Sequence, residues 1–193
     1  MAKLLFVKSD EKKKRYKLGV EDDQGSSIYT VCSATYSSIG NPEKGATLSE
    51  YDLTDIRHDD EIYRATRKAY SLIGVSDKSK YALRLKLLQA GFSSEAAGEA
   101  INRCLEFGYL DEERQLLRAV EREANYSLRG KYHVKRKLAG KGYSLSGIDS
   151  AIRTLVECGD VDFEANFEKL AEKKGAQTDE ERLALKYKFG YKI

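Results

Sequence analysis

Arg129, Lys131, Lys135, Arg136, Lys137 and Lys141 stand within thirteen consecutive positions that contain no acid, in a chain whose net charge is only +3. On a helix, Lys131 and Lys135 share one face and Lys137 and Lys141 another, so the cations flank the apolar pair Val134 and Leu138 on both sides. Each lysine or arginine that neutralises a phosphate adds affinity that falls as salt rises. The same side chains also serve a helix that only shields its own core edge, stems on the apolar surface and heads in water. Both readings stand on the residues alone. Arg118, Arg122 and Arg153 extend the patch if the surrounding helices stack to bring them there. Lys12-Lys13-Lys14-Arg15 makes a second basic cluster at a hairpin turn, read as a solvated loop.

Residues suited to bond-making chemistry are scarce. His58 lies among Asp55, Asp59, Asp60 and Glu61, and reads as a solvated histidine near a helix start sooner than as a metal ligand or acid-base group. His133 belongs to the basic run, where a cation is unwelcome. No glycine-rich loop is followed by lysine and serine or threonine, so nucleotide hydrolysis is not expected. Asp111-Glu112-Glu113 suits the first turn of a helix, where the macrodipole favours acids for structural reasons. Cys32, Cys104 and Cys158 lack metal-ligand spacing and are read as reduced core thiols. No catalytic residue, metal or cofactor is expected.

The elements that position the basic run are repeated. Lys80 to Ser93 aligns without a gap on Lys131 to Ser144, an offset of about 51 residues, and the register continues through Ala100-Ile101 on Ala151-Ile152 and Asp111 on Asp162. Leu83 and Leu87, like Val134 and Leu138, lie four apart, and Gly91 or Gly142 closes the helix. Ser93 or Ser94, and Ser144 or Ser146, can cap a second helix carrying Ala97, Ile101, Cys104 and Leu105, or Ile148, Ile152, Leu155 and Val156. Gly108 and Gly159 stop it. Asp111 and Asp162 open a third, with Leu116, Ala119 and Val120 in one copy and Phe167, Leu170 and Ala171 in the other. Each copy is a three-helix unit.

The first third differs. Leu4 to Val7, the alternating Tyr16, Leu18, Val20, and Ile28 to Cys32 predict short strands of an antiparallel sheet. Gly40 to Gly45 holds the single proline and marks a loop. Leu48-Ser49 opens a short helix over Tyr51, Leu53 and Ile56, and a longer one with Ile62, Ala65, Ala69 and Leu72 ends at Gly74. Glu180 to Phe189 ends in Gly190-Tyr191, the glycine-aromatic pair of Gly91-Phe92 and Gly142-Tyr143, and reads as the first helix of a partial third repeat. The predicted fold is mainly α, with elongated, curved tandem three-helix repeats after a small β region. Its expected divisions are a β region at 1–45, connecting helices at 46–78, repeats at 79–128 and 129–176, and the partial repeat at 177–193. Hydrophobic residues make up 41% of the chain and charged ones 34%, no run nears the roughly 20 apolar residues of a membrane span, and Met1-Ala2-Lys3 does not open a signal peptide. A cytoplasmic protein with no membrane association is expected.

This arrangement resembles the RecX family, bacterial regulators of the RecA recombinase. The resemblance runs from about residue 3 to the end. It is carried most specifically by Phe107-Gly108-Tyr109-Leu110-Asp111-Glu112-Glu113, similar to the family's gly-tyr-leu-(asn/asp)-asp-glu turn, and by Gly130 to Gly142, similar to its glycine, basic helix and lys-gly ending. Ser79 and Leu83 match the residues opening the family's first repeat, whereas Ser76-Asp77-Lys78 replaces its arg-pro-arg and Ala82 an acid. The resemblance implies a non-enzymatic monomer that lies in the groove of the RecA filament on single-stranded DNA and inhibits its assembly, ATP turnover and strand exchange, in DNA repair, homologous recombination and the SOS response. The expected contact residues are Arg118, Arg122, Arg129, Lys131, Lys135, Arg136, Lys137, Lys141 and Arg153. Two other classes remain. A helix-turn-helix transcription regulator would present arginine, asparagine or glutamine at the start of each second helix, where Ser93 to Ala97 and Ser144 to Gly147 offer small or acidic residues. A protein-protein scaffold would bind without regard to salt or DNA.

Overall fold

The structure, a computed structural model, describes residues 2–10, 12 and 14–191. Two units share the chain by interleaving: Met1–Leu72 with Lys86–Phe107, and Ile73–Leu85 with Gly108–Ile193.

In the first unit, β1 (Ala2–Asp10), β2 (Arg15–Asp22), β3 (Gly25–Cys32) and β4 (Thr47–Leu48) form an antiparallel sheet in the order β3-β2-β1-β4. Leu4, Leu18, Val20 and Val31 turn to its buried face and meet Leu53 and Ile56 of α2 (Glu50–Val75). The sheet is therefore the expected one, with a short fourth strand. Leu48 belongs to β4, not to a helix start, and a helix α1 (Ser33–Ser38) follows β3 unpredicted. The expected pair of helices is one continuous α2. Asp59 and Asp60 interrupt its apolar stripe and imitate a break, yet both are buried. Asp59 accepts the Cys32 N–H at 2.5 Å and Asp60 the Thr30 N–H at 2.8 Å. Two carboxylates thus cover outward N–H groups of an edge strand that would otherwise invite pairing.

Helix α3 (Lys80–Gln89) is divided between the units after Leu85, and α4 (Ser94–Glu106) lies in the first. Ser93, not Ser94, caps α4, accepting the Ala96 N–H at 3.1 Å. Glu61 of α2 holds that cap, accepting from the Ser93 N–H at 2.7 Å and its hydroxyl at 3.0 Å. Of the acids around His58, three are therefore committed to backbone or cap contacts. Cys104 is buried in α4, Cys32 is half-buried and Cys158 exposed, so one of the three free thiols is the core residue expected of them all.

The second unit continues with α5 (Glu112–Glu121), a π-helical turn (Arg122–Tyr126), α6 (Lys131–Gly140), α7 (Leu145–Glu157), α8 (Phe163–Lys174) and α9 (Asp179–Phe189). Leu116, Val120, Val134, Leu138, Ile148 and Ile152 share one core. Asp111, Ser144 and Asp162 cap α5, α7 and α8 as their spacing predicts. The structure is thus mainly α, with three-helix repeats behind a small antiparallel sheet.

Successive first helices join end to start, each through a left-handed glycine. Gly142, left-handed at φ 85°, brings the end of α6 onto the start of α3, where the Ser79 hydroxyl donates to the Lys141 carbonyl at 2.8 Å. Gly190, at φ 78°, brings the end of α9 onto the start of α6. There the Gly130 N–H donates to the Phe189 carbonyl at 2.8 Å and the Tyr132 N–H to the Gly190 carbonyl at 3.0 Å. Any Cβ on Gly130 would fall on the Gly190 carbonyl group, so close approach requires glycine there.

Candidate nucleic-acid interface

Helix α6 is fixed by burial of Val134 and Leu138, and this decides where its cations point. Lys137 turns toward the π-helical turn, its Nζ 2.7 Å from both oxygens of Glu123. Arg129, just before α6, sets its Nε 3.2 Å from the same carboxylate. Glu123 is only 3% exposed. Burial alone would raise its pKa, but the Lys137 hydrogen bond and the charges of Lys137, Arg129 and Lys141 more than offset this and hold it below the usual range. On the other flank, Lys135 reaches Asp149 of α7 at 2.5 Å. Arg118 of α5 pairs with Asp77 at 3.5 Å, both half-exposed.

The acid-free run is therefore acid-free along the chain and not in space. Three of its six cations face carboxylates contributed by other elements. Lys131, Arg136 and Lys141 are exposed, and none of them makes an ion pair among the described residues; the same holds for Arg122 on the π-helical turn and Arg153 on α7. Arg136 occupies the turn between Lys135 and Lys137, so the outward charge of α6 centres on it, with Lys131 near the N-terminal end and Lys141 just past the C-terminal end. His133 lies against Gly190, and burial first, then Arg136 and Arg129, push its pKa down.

Sequence reasoning missed Glu123 and Asp149. Glu123 was legible: it falls four residues after Ala119 and three after Val120, on the apolar stripe of α5 carried into the next turn, and an acid at such a position is buried with a partner. Asp149 carried no such signal, because its pairing depends on how α6 and α7 cross.

His58 Nε2 lies 3.7 Å from Glu95 and is exposed, and among the described residues no group of three histidine, cysteine or acidic side chains is placed to hold a metal ion. No helix among them is long and apolar enough to cross a membrane.

A small antiparallel sheet followed by three-helix repeats joined at glycine-aromatic ends is the architecture of the RecX fold. Among solved structures, one described as regulatory protein RecX superposes with a TM-score of 0.65 at 19% identity, over 95% of this chain and 89% of that one. RecX from Lactobacillus salivarius superposes with a TM-score of 0.55 at 17% identity, over 67% of this chain and 86% of its own. No protein-family model matches the chain, and no curated protein does.

Proposed function

We propose that this protein is a non-enzymatic regulator of the RecA recombinase, which binds the filament that RecA forms on single-stranded DNA and inhibits its assembly, ATP turnover and strand exchange. The observation that carries this reading is the RecX fold along 95% of the chain, in a structure described as that of a regulatory protein. In this reading the chain acts in the cytoplasm as a monomer, within DNA repair and the SOS response. Tandem repeats suit such a target, because repeat proteins in general offer extended surfaces to adjacent protomers. Lys131, Arg136, Lys141, Arg122 and Arg153 then meet DNA phosphates or acidic recombinase surface, while Lys137 and Arg129 tie the second repeat to Glu123 of the first, and Lys135 and Arg118 are held by Asp149 and Asp77. The helix-turn-helix reading gains no support, since Glu95 and Leu145 occupy the exposed starts of α4 and α7.

Single-stranded-DNA-dependent ATP hydrolysis by RecA, measured as the protein is titrated in, tests the proposal. Turnover should fall at substoichiometric protein. Unchanged turnover at every ratio would overturn it.

A further inference from the structure

Arg15, which the sequence groups with Lys12, Lys13 and Lys14 in a solvated turn, belongs instead to a second cluster of cations in the first unit. Arg15 of β2, Arg67 of α2 and Arg103 of α4 converge on one open cavity of about 310 Å³, with Tyr63, Tyr70 and Phe107 in its wall. Arg15 is half-buried and lays its guanidinium over the Tyr63 ring, 4.6 Å from the centroid. Its Nη1 is buried without a hydrogen-bond partner, and so is Nη1 of Arg103. Glu106 is the single acid of the lining, and among the described residues it makes no ion pair with any of the three arginines.

A guanidinium does not shed its proton, so a buried N–H without an acceptor is a standing penalty that an anion would remove. The planar fork of arginine matches the paired oxygens of a phosphate, and three arginines around one cavity exceed what Glu106 alone can balance. The wall adds a second chemistry. Tyr63 and Tyr70 lie on the same face of α2, two turns apart, and Phe107 is 63% exposed at the end of α4. Tyr63 and Tyr70 are half-buried and Phe107 is exposed, and accessible aromatic rings beside guanidinium groups are how proteins hold unpaired bases next to their phosphates.

We propose that this cavity binds the phosphate of a nucleotide, either free or as one unit of a single strand, with Arg15, Arg67 and Arg103 on the phosphate and the aromatic wall against the base. The site belongs to the first unit and α6 to the second, and the proposal does not depend on the recombinase reading. It gives the sheet unit a binding role of its own.

Calorimetric titration of the full chain at low salt with inorganic phosphate, thymidine monophosphate and a short oligothymidylate tests the proposal. The monophosphate or the oligonucleotide should bind more tightly than inorganic phosphate, and Arg67→Gln with Arg103→Gln should weaken that binding about tenfold or more. Phe107→Ser should lower affinity for the base-bearing probes and spare inorganic phosphate, and Lys173→Gln with Lys174→Gln, at the end of α8, should leave the monophosphate unaffected. Binding of the monophosphate and the oligonucleotide with equal dependence on the arginines identifies a free-nucleotide site, and arginine-dependent binding of the oligonucleotide alone identifies a strand. Because Arg67 is exposed, Arg67→Gln by itself decides the matter if the double variant does not fold. No binding of any probe, or undiminished binding by the folded arginine variant, would overturn the proposal.

Discussion

Lys137 and Glu123 meet at 2.7 Å across the second unit, and the meeting converts a charge that looked available into one that fastens α6 to the turn after α5. Lys137→Ala should therefore act on stability. Breaking a fully buried pair costs about 3–5 kcal/mol, but Lys137 is a third exposed and Arg129 remains beside the carboxylate, so about 1–2 kcal/mol is expected in chemical denaturation. Lys137→Glu should be worse, since it sets two acids together.

The same pair predicts an acid response. The Glu123 pKa is lower in the fold than in the unfolded chain, so the unfolded chain binds the proton first as pH falls. Its contribution is complete above the ordinary glutamate value of about 4.3 and is lost as pH drops through the depressed folded value. Melting temperature measured across that window should fall more steeply for the native chain than for Glu123→Gln. Parallel curves would show that the carboxylate contributes nothing through its charge.

For regulation, the exposed cations should count and the paired ones should not. Lys131→Glu, Arg136→Glu and Lys141→Glu together should abolish inhibition of RecA turnover with helical content unchanged. Lys135→Gln should leave inhibition near native strength, because its charge is already answered by Asp149. Full inhibition by the triple variant would remove α6 from the interface.

The joint between α6 and α9 should be sensitive to a single methyl group. Gly130→Ala drives a Cβ into the Gly190 carbonyl, and overpacking of this kind costs about 1–3 kcal/mol. Hydrogen exchange should localise the loss to residues 179–191. Protonation of His133 should loosen the same joint. Its folded pKa is depressed, so its contribution is present above the ordinary histidine value of about 6.5 and declines as pH falls through it. Exchange in α9 should quicken toward mildly acidic pH.

At the earlier joint, Ser79 is 1% exposed and works twice, capping α3 through the Ala82 N–H at 3.1 Å and donating to the Lys141 carbonyl. Ser79→Ala should cost about 1–2 kcal/mol, at the upper end for a lost cap because a carbonyl also loses its donor. A loss within a few tenths would show that neither bond matters.

Much of this architecture could be read from the chain because repeats confess their period. Asp111, Ser144 and Asp162 announce caps by type and place, and Gly142 announces a left-handed end. The hidden features are those that depend on residues distant in sequence. Asp59 and Asp60 look like a helix break until the edge of β3 supplies N–H groups for them. Lys137 looks free until the π-helical turn places Glu123 opposite. Arg15 looks solvated until α2 brings Tyr63 under it. In each case a charged side chain has a partner that no local pattern records.

The joint that closes α9 on α6 is written in main-chain atoms: an amide of Gly130 on a carbonyl of Phe189, and an amide of Tyr132 on a carbonyl of Gly190. Such a seam demands a small residue and a left-handed turn, and apart from His133 against Gly190 it asks little of the neighbouring side chains. Sequences can therefore drift widely on either side of it while the helices keep the same seating.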